Sequence, residues 1–180
     1  MAARAQKQVA LLAQGPVPFE RRYRRPIYPG ERVDAAPTAI VLVLKNEKKN
    51  GLGVPLPAGS TALYARRGGE RLLLGLGAIT DRTVGETFRF AAGVSTQVTV
   101  TQVNAAPREP VLVTRTAAGS HEAMLTASNA NPFAVTLDVP IGTAGQKIEA
   151  EGQEVAHMDG IATWSPTLPP GGRAELRYRY

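Results

Sequence analysis

Short segments of strand length recur along this chain from residue 38 to its end, and turns rich in glycine and proline separate them. Many are rich in β-branched residues, as in 38–45 (TAIVLVLK). The predicted strands are 38–45, 60–66, 71–76, 87–91, 95–103, 111–116, 122–128, 133–139, 146–151, 161–164 and 174–180. Because no segment after residue 38 has a helical period, the pattern predicts an all-β protein, with either one immunoglobulin-like β-sandwich or two packed β lobes.

Alternation of apolar and polar residues predicts which side chains face the core. In the last segment Ala174, Leu176, Tyr178 and Tyr180 alternate with charged residues. Apolar residues alternate in the same way along 133–139. Because successive side chains of a strand point to opposite faces, each set is predicted to cover one side of the core.

Positive charge is concentrated at the N-terminus. Residues 1–25 contain six basic residues and one acidic residue, whereas the other 155 residues contain 15 and 14. We therefore predict a basic N-terminal arm at 1–25, an N-terminal β lobe at 26–106 and a C-terminal immunoglobulin-like β lobe at 107–180. The prolines in 107–110 mark the boundary between the lobes, because a central strand does not run through them.

Five residues of this extended arm are predicted to bind a partner: Arg21, Arg22, Tyr23, Arg24 and Arg25. Arginines beside aromatic rings bind carboxylates of an acidic protein surface, anionic lipid or nucleic acid. Alternatively, the arm packs on the chain's own sheet as an amphipathic strand. The nearly neutral body argues against nucleic acid. For the preceding residues, a short helix over 2–13 and an edge strand at 8–12 remain alternatives.

Chemistry-bearing residues are sparse. The chain has no cysteine, and its two histidines, His121 and His157, are not at ligand spacing. No serine lies in a nucleophile elbow, and the glycines at 51–53 lack the dinucleotide fingerprint. The clustered acids are read as a solvated face: Glu149, Glu151, Glu154 and Asp159. We therefore predict no enzyme activity, no cofactor and no metal site.

Apolar runs in the sequence are short. None approaches the roughly 18 residues of a membrane-spanning helix. The apolar stretch at 9–13 is shorter than the core of a typical secretory signal. The sequence as given therefore predicts neither a transmembrane segment nor a working signal peptide.

Residues 46–59 (NEKKNGLGVPLPAG) carry a more specific signal. They resemble the C-terminal domain of unknown function of the bacterial mucoidy-inhibitor-like proteins. Further matches are Tyr64, the Leu-Gly pair at 74–75, the TVGE element at 83–86, Trp164, the PGG turn at 170–172 and Tyr178. The resemblance implies a β-sandwich in an exported or envelope-associated bacterial protein, and it supplies no catalytic residues.

These observations favour a non-enzymatic structural or interaction subunit. We expect it to dock on a larger protein complex, including a membrane-embedded one, through its basic arm and an exposed sheet edge. The first alternative is an adhesion or carbohydrate-binding module of the cell envelope, for which an exposed Trp164 is the discriminating feature. The second is a hydrolase whose carboxylates meet only in space.

Overall fold

The computed structural model describes residues 14–104 and 121–180, and these residues form an all-β fold. Their strands are β1 (Glu20–Arg24), β2 (Val33–Lys45), β3 (Gly59–Arg67), β4 (Glu70–Ile79), β5 (Thr87–Asn104), β6 (Glu122–Asn129), β7 (Val135–Pro140), β8 (Glu149–Ala150), β9 (Ala156–Met158), β10 (Ile161–Trp164), β11 (Thr167–Leu168) and β12 (Arg173–Arg179). One 3-10 turn, Lys48–Asn50, follows β2. The predicted fold class is confirmed.

Ten of these strands belong to one sheet, in the order β8-β12-β6-β5-β2-β1-β7-β10-β9, with β11 paired to β7. Its two end strands, β8 and β9, are joined by residues 151–155 alone. Five residues span at most about 17 Å, so the ends of the sheet lie close to each other. The sheet therefore curls around its core, as in a β-sandwich.

The core lies inside this curl. It includes Tyr23 of β1, Leu125 of β6, Leu137 of β7, Trp164 of β10 and Leu176 of β12. Since each comes from a different strand, packing ties together segments that are distant in sequence. Burial of each large apolar side chain contributes about 1.5–3 kcal/mol to stability.

The predicted alternation is confirmed in the last strand. Leu176 and Tyr178 are fully buried, and Ala174 and Tyr180 pack partly buried against the core. In β7 the predicted inward residues Val135, Leu137 and Val139 are buried, but Asp138 of the alternate set is buried as well, and Phe133 precedes the strand and is exposed.

The predicted strands at 87–91 and 95–103 form one continuous strand, β5. The pairing of β5 with β2 is irregular near the predicted break. One residue of β5 is skipped between Ala91 and Gly93, and three are skipped between Ser95 and Thr99. Gly93 has a φ of 118°, which a glycine adopts without a side-chain clash. The glycine therefore bends the strand without ending it. The predicted strand at 111–116 lies outside the described residues.

A second, two-stranded sheet consists of the hairpin β3–β4. It is inserted between β2 and β5 and turns at Gly68 and Gly69, both with positive φ. A bulge at Leu74 interrupts the pairing, because Leu63 is opposite Gly75 and Tyr64 is opposite Leu73.

The described end of the predicted arm is part of the main sheet. Strand β1 pairs antiparallel with β2 and parallel with β7, and Ile27 continues alongside Ile141. Tyr23 and Ile27 are buried. Because β1 fills a central position between strands of both predicted lobes, we expect the body not to fold without it. The predicted lobe boundary at residue 107 lies outside the described residues.

Candidate functional site

The five residues predicted to bind a partner have different environments in β1 and just after it. Tyr23 faces inward and is a core residue. Arg21 is exposed, with its guanidinium carbon 4.8 Å from the centre of the Phe133 ring. This distance suits a cation–π contact. Of these two residues, Arg21 is the one available to a partner.

Arg22 belongs to an ion-pair network on the other face of β1. Its Nη1 donates to Oδ1 of Asp138 at 2.9 Å, and its Nε donates to Glu20 at the same distance. Ser165 Oγ also donates to Asp138 Oδ1, at 2.9 Å. Partial burial lowers the pKa of Arg22, but hydrogen bonds and attraction from Glu20 and Asp138 outweigh it and leave the pKa raised. Arg22 therefore compensates a buried carboxylate.

Arg24 and Arg25 are half-buried. Burial lowers the pKa of Arg24, and the positive charge of Arg89 lowers it further. The guanidinium of Arg25 donates to the carbonyl oxygen of Pro37 at 3.5 Å, a long contact. Both arginines thus lie against the chain's own surface. Partner binding by the five residues remains a prediction.

A shallow depression of about 380 Å³ lies at the start of β1. Phe19, Val43, Lys45 and Asn50 are among the residues that line it. Phe19 is largely exposed. The depression is therefore bordered by an aromatic ring and a cationic side chain.

The hairpin β3–β4 presents an apolar face that the sequence analysis did not single out. Tyr64 pairs with Leu73, and Ala62 pairs with Leu76. The exposed fractions are 45% for Tyr64, 52% for Leu73 and 71% for Leu76. Paired residues of an antiparallel hairpin lie on the same face, so these side chains form one surface. The run RLLLGLG at 71–77 was the available sequence signal.

The opposite face of the hairpin turns toward β5. Thr61, Leu63 and Ala65 are partly covered. A Cβ placed on Gly75 would lie 3.2 Å from the carbonyl oxygen of Ala91, so the absence of a side chain allows close packing there. Even so, Leu72 and Leu74 remain about half exposed. Leucines are thus accessible on both sides of β4.

The segments that lead into and out of the hairpin are joined by Asn46, which is fully buried. Its side-chain amide donates to the carbonyl oxygens of Val54, at 2.8 Å, and Thr83, at 2.9 Å. Its Oδ1 accepts from the backbone N–H of Gly53 at 2.9 Å. Its main chain pairs with Glu86 and Gly85. One side chain therefore fixes both loops at the base of the hairpin.

The glycines of this loop are explained by backbone geometry. Gly51 and Gly53 have φ values of 80° and 84°. A Cβ on Gly53 would lie 2.7 Å from the backbone nitrogen of Lys48, and one on Gly51 would lie 2.8 Å from the carbonyl oxygen of Pro16. The glycine-rich motif thus forms tight turns, as predicted.

The two histidines considered for chemistry have different surroundings. His121 lies next to Tyr180, at 5.7 Å between ring centres, whereas His157 is exposed in β9. Within residues 14–104 and 121–180, no group of three or more His, Asp or Glu residues is arranged to hold a metal ion. Trp164 is 2% exposed, and its Nε1 donates to Gln153. No helix in the described part of the chain has the length and apolar character to cross a bilayer.

Comparisons with models of protein families, with curated proteins and with solved structures found no match to this chain. The resemblance to the mucoidy-inhibitor-like proteins therefore stays a prediction that depends on the residues quoted above.

Proposed function

We propose that this protein is a non-enzymatic interaction subunit that docks on a larger protein or membrane-associated complex of the bacterial cell envelope. The proposal draws on the edges and exposed surfaces of the sheets, and on the absence from the sequence of a recognisable catalytic motif. The envelope location follows from the family resemblance.

The observation that carries the proposal is the outer edge of β3, which has no partner strand within residues 14–104 and 121–180. The main sheet ends in β8 and β9, strands of two and three residues, and such short edges limit unwanted pairing. In contrast, β3 has nine residues, and within the described part of the chain it pairs with β4 alone. A long edge strand flanked by apolar side chains is the surface that β-strand addition uses.

The start of β1 is the second proposed contact. Phe19 and Arg21 are both exposed there, beside the depression described above. A guanidinium next to aromatic rings suits a partner that presents carboxylates. Tyr23 contributes instead to the core, so in this proposal the contact is confined to the beginning of the strand.

The carbohydrate-binding alternative has less support. Sugar rings stack on exposed aromatic faces, but Trp164 and Tyr178 are both buried in the core. Tyr64 is exposed, yet the guanidinium of Arg71 lies 4.3 Å from its ring centre.

The test compares the proteins that co-purify with tagged variants from cells that express the chain natively, using quantitative mass spectrometry. Tyr64→Lys places a charge beside the β3 edge, and Arg21→Glu reverses the charge at β1. The matched controls are Thr96→Lys and Arg173→Glu, which alter exposed residues elsewhere. We expect at least one partner to be lost from the first pair and retained by the controls. Equal recovery of every protein by all four variants would refute protein docking at these two surfaces.

A further inference from the structure

We propose that the β3–β4 hairpin binds the surface of an anionic lipid bilayer. Its leucine side chains would enter the boundary between headgroups and acyl chains, and the arginines of its tip would contact lipid phosphates. This inference rests on the proposed docking function and deepens it: the bilayer contacts the leucine and arginine side chains of the hairpin, whereas strand addition by a protein uses the backbone edge of β3.

The distribution of apolar side chains carries the first step. Leu72, Leu73, Leu74 and Leu76 are all about half exposed or more, and they emerge on both faces of β4. A rigid protein surface covers one face of a two-stranded hairpin. Lipid acyl chains and headgroups adapt to an irregular surface, so they can cover the outer face and also reach Leu72 and Leu74, which stay about half exposed beside β5. Val94, which is 68% exposed, follows Gly93, whose backbone lies near the carbonyl oxygen of Leu74.

Charge complementarity carries the second step. The hairpin tip contains Arg66, Arg67 and Arg71, with Glu70 as the one acidic residue between Gly59 and Ile79. Basic residues beside apolar side chains bind anionic leaflets by joining electrostatic attraction to apolar burial. The chain as a whole also carries a net charge of +6, which favours approach to a negative surface.

Backbone hydrogen bonding limits how deep the hairpin goes. Strands β3 and β4 satisfy each other along one side, but the outer edge of β3 has no partner strand among the described residues. Unpaired backbone groups are costly in hydrocarbon but can bond water and headgroups at the interface. The hairpin therefore lies along the interface and does not span the bilayer.

The aromatic residue of the hairpin supports the same depth. The Tyr64 ring lies next to Leu73 on one side and beneath the Arg71 guanidinium on the other. Tyrosine combines an apolar ring with a polar hydroxyl and is enriched at membrane interfaces. The pair thus marks the transition from the leucine surface to the charged tip.

The base of the hairpin is held in place before binding. Asn46 joins the entering and leaving segments, and Leu56 and Arg82 exchange backbone hydrogen bonds beside them. A surface that is ordered in advance loses less conformational entropy on binding. Because these hydrogen bonds fix the base of the hairpin, the leucines are exposed on an ordered surface, and the hairpin does not have to fold when it binds.

The experiment is flotation of the full chain with vesicles, performed with phosphatidylcholine alone and with phosphatidylcholine containing 30% phosphatidylglycerol. We expect binding to the anionic vesicles that weakens as salt rises, and little binding to the neutral ones. One variant carries Leu73→Ser and Leu76→Ser, and another carries Arg66→Ala, Arg67→Ala and Arg71→Ala. We expect each to lower the partition coefficient about tenfold or more.

Matched controls alter the same chemistry elsewhere. Val84→Ser removes an exposed apolar side chain from the turn before β5. The triple variant Arg32→Ala, Lys48→Ala and Arg173→Ala removes three exposed charges outside the hairpin. Both should bind within about threefold of the unaltered chain. Thermal unfolding of every variant checks that the fold is retained, which is expected because all the altered side chains are exposed.

Three outcomes would overturn the inference: no binding of the unaltered chain to anionic vesicles, equal binding to neutral ones, or equal loss of binding in the hairpin and control variants. If vesicles fail to bind while Tyr64→Lys still removes a co-purifying protein, the hairpin binds a protein, and the docking function survives without the lipid. If both tests fail, the docking function itself is refuted.

Discussion

The side-chain amide of Asn46 donates a 2.9 Å hydrogen bond to the carbonyl oxygen of Thr83, across the base of the β3–β4 hairpin. The two residues are 37 positions apart, so one buried side chain joins the loop before the hairpin to the loop after it. The signature residues at 46–59 thus have a structural role at this point.

Asn46→Ala is expected to lower the free energy of unfolding by about 2–4 kcal/mol, because the partners in both loops lose their hydrogen bonds inside the protein. Urea denaturation measures the loss, and hydrogen exchange should show faster exchange at the Gly53 amide. Asn50→Ala is the control. Its amide makes a single 3.4 Å contact, so the change should cost less than about 0.5 kcal/mol. Equal stability of the two variants would contradict the proposed role of Asn46 in joining the two loops.

Asp138→Ala is expected to destabilise the protein by about 2 kcal/mol, because the half-buried Arg22 and the Ser165 hydroxyl lose their shared acceptor, while Arg22 keeps its ion pair with Glu20. Ser165→Ala removes one hydrogen bond to the same oxygen and should cost about 1 kcal/mol. The double variant Arg22→Met with Asp138→Leu removes both charges and should recover most of the loss. Chemical denaturation of the three variants checks this order, and a double variant less stable than Asp138→Ala would disprove it.

Acidification is expected to weaken the pairing of β6 with β12. Hydrogen bonds from Arg179 and Arg177 lower the pKa of Glu122 below its ordinary value of 4.5. Because the native-state pKa is depressed, the stabilisation is complete above pH 4.5 and is lost as the pH falls through the native value. Between pH 7 and pH 3, the free energy of unfolding should therefore decline less for Glu122→Gln than for the unaltered chain. Parallel curves for the two proteins would rule out this contribution.

Tyr178→Phe tests the buried polar network of the core. The Tyr178 hydroxyl donates to Gln102 Oε1 at 2.7 Å, and Gln102 Nε2 donates to the carbonyl oxygens of Tyr28 and Glu31. Loss of the hydroxyl leaves Oε1 without a donor, so we expect a cost of about 1–2 kcal/mol, against less than about 0.5 kcal/mol for Tyr180→Phe. Thermal unfolding measures the destabilisation by each variant. Equal destabilisation by Tyr178→Phe and Tyr180→Phe would argue against a stabilising hydrogen bond from Tyr178 to Gln102.

The same residue predicts an alkaline limit of stability. Burial raises the pKa of the Tyr178 phenol above its ordinary value of 10.0. The native state therefore holds a proton that the unfolded state releases, and stability falls as the pH rises past 10.0. Absorbance titration of phenolate should show one tyrosine that ionises together with unfolding. Its ionisation in the folded protein near the ordinary pKa would contradict the burial effect.

Much of the strand pattern could be predicted because it depends on local periodicity. The alternation in the last segment identified Leu176 and Tyr178 as core residues, and β6 and β12 lie where their apolar runs predicted them. The joining of two predicted strands into β5 was missed because the bend at Gly93 is accommodated by pairing with β2, a partner that is distant in the sequence.

The candidate surfaces were harder to predict. Arg21 and Tyr23 share one face of an extended strand, which the sequence made clear, yet one is exposed and the other is buried. Tyr23 packs into a core that includes residues from the other half of the chain, such as Leu137 and Leu176, and nothing in the local sequence indicates those contacts. Likewise, the sequence predicted a strand at 71–76, but the exposure of Leu73 and Leu76 depends on the hairpin's lying outside the main sheet.

By itself, the sequence determined that this chain is all-β, that its turns fall at glycines and prolines, and that its positive charge is uneven. These properties follow from backbone sterics and side-chain periodicity over a few residues. The tertiary structure alone decided that β1 is a central strand, that Arg22 compensates Asp138, and that the leucines of β4 face outward. Those outcomes depend on contacts between residues far apart in the chain, where burial and pairing, and not local preference, set the free energy.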